Sequence, residues 1–171
     1  MSRTSLDPQR CVNFIGLPHR MKGDGPESYR LLREVGLTVV ANFPSDASFR
    51  DWGSIRFAKA SFVADRGWYH RLLTRLEEGG QEVHEVPLPT GLTQTDEFLA
   101  RIGRVYGVEE ALRKAAEPYR EQAVRRIALF QERYAGMHLA MGLRMLNNYA
   151  ADQIAYLRVR WRSHSGSLTP T

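Results

Sequence analysis

The chain has 171 residues, 43% of them hydrophobic and 25% charged, so it fits one globular domain with a short appendage. Lysine and arginine number 24 against 19 acidic residues, and because this excess is spread along the sequence we do not expect a nucleic-acid surface. One cysteine excludes an internal disulfide and a cysteine-rich metal site, and no apolar run is long enough to span a membrane, so we expect a cytoplasmic protein.

The first part of the chain alternates between strand and helix patterns. Residues 12–16 form a short apolar run closed by glycine, which is typical of a buried strand. Pro26 stands at the first position of a predicted helix, and Gly36 is placed to end it. A second apolar run at residues 37–41 predicts the next strand.

The same alternation continues after a predicted turn at residues 44–46. A short helix is predicted over residues 48–54, and a third strand over residues 60–64. The next helix ends at Gly79, and a fourth strand follows at residues 82–86. Apolar residues at spacings i, i+3, i+4 and i+7 define one face of that helix: Tyr69, Leu72, Leu73 and Leu76.

The last part of the sequence is predicted to be mostly helical. Thr93 is a plausible N-cap, with Asp96 at capping-box spacing, for a helix that ends at Gly107. A short helix over residues 108–116 is followed by a long one that Pro118 opens. The remaining predictions are the end of that helix at Gly136, a strand at 138–141, a helix at 146–157 and a disordered tail at 163–171.

Strands that alternate with helices through short glycine- or proline-containing loops predict an α/β fold. We expect a Rossmann-like three-layer domain with a parallel sheet and helices on both faces. Ligands of such folds bind beyond the carboxyl ends of the strands.

Two loops at that edge contain candidate ligand or interface residues. Ser45 and Asp46 follow the second strand, although a turn and a helix cap explain them equally well. Thr90, Gly91 and Thr93 could present backbone N–H groups to an anion at a helix N-terminus, although capping explains the same residues. The sequence contains neither a P-loop nor a dinucleotide-binding glycine motif, and no catalytic residue is assigned.

Three stretches together resemble the nitrogenase component 1 family. Residues 12–16 with 29–37 are similar to the start of its second domain, which reads VN(I/L)(I/V)G followed by rrlLeelGl. Residues 88–99 (LPTGLTQTDEFL) are similar to a P-x-G-L-x-x-T-D-x-F-L segment of β-type subunits. Residues 119–140 resemble the long helix and strand that lead into the third domain. The order and spacing of the three stretches carry the resemblance, over roughly residues 12–157.

The resemblance implies a domain organisation. Residues 1–11 would be an N-terminal extension, and residues 12–136 a nitrogenase component 1-like middle domain. Residues 137–162 would be the truncated start of a further β/α domain, and residues 163–171 the tail. On this interpretation the chain is a partial β-type subunit.

The resemblance also implies a function. Such subunits belong to ATP-dependent reductase complexes that pass electrons through iron–sulfur and other metal clusters. We expect this chain to bind no cofactor alone, since Cys11 cannot replace a set of thiolates, and to contribute scaffold and subunit interface. Its expected partners are other component 1-type subunits and an iron–sulfur ATP-dependent reductase.

By resemblance, the region that binds the catalytic metal cofactor in α-type subunits falls near residues 65–67, at Asp65 and Arg66, where this sequence has no cysteine. These two residues are therefore candidate cofactor contacts, although a local ion pair or a carboxylate at a helix start explains them too. Two alternatives to the scaffold role stay open. The chain is a non-catalytic module for metallocluster assembly or partner binding, or it is a fragment of a split gene.

Overall fold

The computed structural model describes residues 7–17, 27–45 and 52–135. Within them lie a 3₁₀ turn at Pro8–Arg10, four strands and five helices. The strands are β1 (Cys11–Ile15), β2 (Thr38–Phe43), β3 (Ala60–Val63) and β4 (Glu82–Glu85). The helices are α1 (Glu27–Glu34), α2 (Trp52–Ile55), α3 (Arg66–Glu78), α4 (Gly91–Tyr106) and α5 (Glu109–Arg133).

The four strands form one parallel sheet in the order β2-β1-β3-β4. The chain moves from β1 to β2 in one direction across the sheet and then crosses back over β1 to reach β3. A reversal of this kind is the defining feature of doubly wound α/β folds, and it confirms the predicted fold class. The register between β1 and β2 shifts once, between Val12 and Asn13.

Two apolar clusters cover the opposite faces of the sheet. The first cluster packs α1, α4 and the start of α5 against one face, and its largest buried side chains are Phe14, Phe62 and Phe98. The second cluster packs α2 and α3 against the other face, around Ile15, Val63 and Leu73. Alternation along β1 and β3 supplies both faces, since successive side chains of a strand point to opposite sides.

Apart from the short helix at 48–54, the six expected elements from β1 to β4 are present, and no strand end differs by more than two residues from the predicted one. The helical face predicted for α3 is also confirmed, because Leu73 and Leu76 are buried and Tyr69 and Leu72 pack beside them. The predicted short helix at 48–54 lies partly outside the described residues. The strand at 138–141, the helix at 146–157 and the tail at 163–171 lie wholly outside them.

The predicted helix boundary at Pro118 is wrong. Residues 109–133 form a single helix with Pro118 inside it, and not two helices separated at the proline. Contacts on both sides of the proline explain why the helix continues. Leu112 is fully buried before it, and Arg120 Nε lies 3.0 Å from Asp96 Oδ2 after it. Next to Pro118, the Tyr119 ring lies 4.6 Å from the Arg30 guanidinium.

The chain divides into two compact units, residues 1–120 and residues 121–171. The first contains all four strands of the described residues. In the second, the structure describes residues 121–135, which include the last part of α5. The ring centroids of Phe130 and Tyr134 lie 4.4 Å apart there. No helix in the described part of the chain is both long and apolar enough to cross a membrane.

Candidate functional site

The topology places the candidate site at the carboxyl ends of β1 and β3. The crossovers leave these two strands in opposite directions, and folds with this reversal bind ligands in a crevice between the loops that follow the two strands. Two backbone hydrogen bonds continue the sheet beyond the strand ends: Gly16 N donates to Phe43 O at 2.7 Å, and Ala64 N donates to Ile15 O at 3.1 Å. The backbone at this edge is therefore fixed by the sheet itself.

Gly16 forms the turn at the end of β1. Its φ of +77° lies in the left-handed region, which glycine adopts without steric cost. A Cβ atom at this position would lie 2.6 Å from Cε2 of Tyr69, on α3. The Tyr69 ring also packs edge-on against Phe43, with centroids 6.2 Å apart. The first turns of α3 therefore approach the backbone of β1 directly at the switch point.

The carbonyl oxygen of Leu17 accepts two side-chain hydrogen bonds. Ser45 Oγ donates at 2.9 Å and Asn42 Nδ2 donates at 3.3 Å, so both residues hold the segment that leaves β1. The other amide atom of Asn42, Oδ1, is buried and has no hydrogen-bond partner in the described structure. Sequence reasoning found Ser45 but missed Asn42, and the only available signal was a polar residue near the end of an apolar strand. Asp46 lies outside the described residues.

Asp65 and Arg66 follow β3 at the same edge and both make local contacts. Asp65 is the N-cap of α3, where its Oδ1 accepts a hydrogen bond from Gly67 N at 2.8 Å. Arg66 Nη2 pairs with Glu77 Oε1 at 2.6 Å, between side chains that are both about two-fifths exposed. The local explanations of both residues are therefore confirmed, and their contact with a cofactor stays a prediction.

The loop after β4 differs from its prediction. The helix α4 begins at Gly91 (φ +73°), so Thr93 lies in its first turn, and the predicted N-cap at Thr93 is wrong. The N-cap position belongs to Thr90, whose hydroxyl donates to Gln94 Oε1 at 2.8 Å instead of capping the helix. The glycine explains the earlier start, because its positive φ turns the chain two residues before Thr93.

The candidate residues share one edge of the sheet but not one site. Ser45 follows β2 and Thr90 follows β4, and these are the two outermost strands of the described sheet. Three interstrand spacings separate them, which is about 14 Å. Asp65 follows β3, which lies one interstrand spacing from β4 and two spacings, about 10 Å, from β2.

The only cysteine lies at the opposite end of the sheet. Cys11 opens β1, its side chain is buried, and its Sγ lies 3.2 Å from Asp7 O. Burial, together with the Asp7 carboxylate, raises the pKa of the thiol. Four residues of strand separate Cys11 from the end of β1, about 13 Å. The thiol therefore belongs to the amino edge, away from the crevice.

The donor atoms at the crevice do not fit an iron–sulfur cluster. Such clusters are bound by about four thiolates, and the crevice offers a hydroxyl, an amide and a carboxylate that already caps a helix. In the described residues, no group of three or more histidine, cysteine, aspartate or glutamate side chains could bind a metal ion.

Comparison with known protein families gives one match. Residues 3–144 match the model of the nitrogenase component 1 type oxidoreductases. The chain belongs to this family. The match covers most of the sequence and confirms the resemblance to the family. No curated protein matches the chain.

The family membership identifies the doubly wound sheet as a nitrogenase component 1-like oxidoreductase domain. The matched region contains the whole described sheet and also Cys11. The thiol is therefore part of the family domain, at the buried start of its first strand.

Proposed function

We propose that this chain is a scaffold and interface subunit of a nitrogenase component 1-type reductase assembly, whose clusters are bound by other chains. The position of Cys11 carries the proposal. The one thiol of a 171-residue family member is buried at the amino edge of the sheet, whereas ligands of this fold bind at the carboxyl edge. The chain therefore contributes a rigid sheet and its surface, and electron transfer takes place elsewhere in the assembly.

The partners follow from the family. The chain binds other component 1-type subunits in the cytoplasm, and an ATP-dependent iron–sulfur reductase supplies electrons to the complex. In this role the residues of the crevice hold the backbone of the surrounding segments in a fixed conformation. Asn42 and Ser45 fix the segment after β1, and Asp65 fixes the start of α3, so the loops that face a partner are held in place.

The proposal is tested by measuring the metal content of the chain with and without its partners. The chain is expressed alone and beside the reading frames next to its gene, under anaerobic conditions, and each product is measured for iron, sulfide, visible absorption and native mass. We expect the isolated chain to contain less than one iron per molecule, and the co-expressed complex to contain clusters.

Two variants locate any iron that is found. Cys11→Ala removes the only thiol, and Asp65→Asn removes the charge at α3 but keeps a side chain that caps helices well. Neither variant should change the iron content of the complex. Stoichiometric iron in the isolated chain, lost in either variant, would show that the chain itself binds the cofactor and would refute the scaffold role.

A further inference from the structure

The outer side of α3 carries the most exposed aromatic side chain among the described residues. Trp68 is 85% exposed, whereas the opposite side of the helix is anchored in the second cluster by Leu73 and Leu76. Among the described residues, its indole ring has no aromatic or cationic partner. A tryptophan in this position leaves a large apolar surface in contact with water.

Two arginines lie on the same side of the helix. Arg71 and Arg75 follow Trp68 at i+3 and i+7, which are the spacings that place side chains in one stripe along an α-helix. Arg75 has a side chain that is 80% exposed, and it pairs with Glu78 at 3.0 Å. Arg71 is exposed and forms no ion pair within the described part of the chain. The stripe therefore presents one apolar ring beside one guanidinium without a counter-charge.

We propose that this stripe, Trp68, Arg71 and Arg75, is the docking surface for a partner subunit that offers carboxylates around an apolar patch. Tryptophan and arginine are the residue types that dominate binding energy at protein interfaces, because each combines a large contact area with a directed polar group. The Arg71 guanidinium can bind a carboxylate with two parallel hydrogen bonds, beside which the indole covers the apolar patch.

The charges of α3 favour a protein over a nucleic acid. Glu78 pairs with Arg75 of the stripe, Glu77 lies on the same helix, and Asp65 stands at its start, so α3 carries three carboxylates. A phosphate backbone would bring continuous negative charge against them, whereas separate carboxylates on a protein can approach Arg71 alone. The identity of the partner as a subunit of the assembly rests on the function proposed above, and the chemistry of the stripe does not.

The experiment compares three variants with the wild-type chain. Trp68→Ala removes the ring and Arg71→Glu reverses the charge, both at exposed positions. Lys114→Glu is the matched control, because it makes the same change of charge at an exposed position on α5. Circular dichroism and thermal unfolding first establish that all four proteins fold equally. Each is then titrated with the co-expressed partner subunit, with a synthetic peptide of alternating glutamate and phenylalanine, and with a 20-base-pair DNA duplex.

We expect Trp68→Ala and Arg71→Glu to weaken partner binding at least about tenfold, and Lys114→Glu to change it less than about twofold. Partner binding that is equal in all four proteins would overturn the docking surface and leave the scaffold function intact. If no partner binds but the peptide does, and both stripe variants lose it, the scaffold function fails while the surface stands. Binding of neither, or preference for the duplex over the peptide, would overturn the proposal.

Discussion

Asn13 and Ser61 form a side-chain hydrogen bond across β1 and β3, with Nδ2 of Asn13 lying 3.2 Å from Oγ of Ser61 in the fully buried interior. The Asn13 amide also donates to Ile55 O at 2.5 Å. Ser61 in turn donates to Gln81 Oε1 at 2.9 Å, and the Gln81 amide donates to the carbonyls of Ile55 and Ala58. A polar network therefore fixes the segment between α2 and β3 from inside the core.

We expect Ser61→Ala to lower the free energy of unfolding by about 1–3 kcal/mol. The change leaves the Gln81 oxygen without its donor and removes one acceptor from Asn13, and an unsatisfied buried polar group costs about this much. Urea unfolding followed by circular dichroism measures the effect. Thr74→Ala is the control at an exposed position, and a loss no larger than in that control would contradict the role of the network.

Gly16→Ala should destabilise the fold more than Gly80→Ala. Both glycines have φ near +80°, so alanine costs about 1–2 kcal/mol at each for backbone strain. Only at Gly16 does the added Cβ also meet a neighbour, Cε2 of Tyr69 at 2.6 Å, whereas nothing lies within 4 Å at Gly80.

The double variant Gly16→Ala with Tyr69→Ala separates strain from contact. We expect a coupling free energy that favours the double variant, because removing the ring removes the overlap and leaves only the strain. Thermal unfolding of the four proteins of this cycle gives the coupling. Purely additive effects would show that the ring does not determine the cost at Gly16.

Replacing Pro118 with alanine is expected to stabilise the protein, by up to about 3 kcal/mol. Proline in a helix interior removes one backbone donor and crowds the carbonyl four residues earlier, and Pro118 is exposed, so no packing is lost on substitution. Chemical denaturation compares the variant with Glu117→Ala, next to it in the same helix. A destabilised Pro118→Ala protein would mean that the proline shapes α5 in a way that the fold requires.

Stability should fall at alkaline pH because of Tyr106. Burial raises the pKa of its phenol above the ordinary value of about 10, and its hydroxyl donates to Cys11 O at 2.6 Å. Above that pH the unfolded chain loses the proton while the folded protein still holds it, so unfolding becomes more favourable as pH rises. Tyr106→Phe should be less stable by about 1–2 kcal/mol at neutral pH, because the hydrogen bond is lost.

The pH dependence distinguishes the variant from the wild type. Melting temperatures measured from pH 7 to 11 should fall less steeply above pH about 10 in Tyr106→Phe. A residual decline from pH about 9 is expected in both proteins, since burial also raises the pKa of Cys11. Parallel curves for the two proteins would assign the alkaline decline to other groups.

Much of the sheet was predictable because its signals are local. The apolar runs of β1 and β3 are visible in consecutive residues, and they predict where these strands lie in the sequence. The spacing of Leu73 and Leu76 likewise predicts the buried side of α3. The helix start predicted at Pro118 is wrong because tertiary contacts of α5, which the sequence does not display, outweigh the local preference of proline for the first turn of a helix.

The candidate site was less predictable, because hydrogen bonds between distant segments decide it. Ser45 and Asp65 were found at the carboxyl edge from strand order alone, but their partners, Leu17 O and Gly67 N, depend on the folded backbone. The unpaired oxygen of Asn42 and the exposure of Trp68 are properties of the surroundings, not of the residue type. Sequence patterns therefore located the edge, and the structure was needed to identify what each residue does there.

The first cluster joins residues that are far apart in the sequence, from Val12 in β1 to Leu112 in α5. During synthesis, β1 to β4 leave the ribosome before α4 and α5 can cover Phe14 and Phe62, so the nascent chain exposes one apolar face of its sheet. Although α1 can pack on that face earlier, the face is fully covered only after about residue 112 has emerged. A ribosome-bound chain that stops before α4 therefore exposes apolar surface of the kind that makes folding intermediates depend on chaperones.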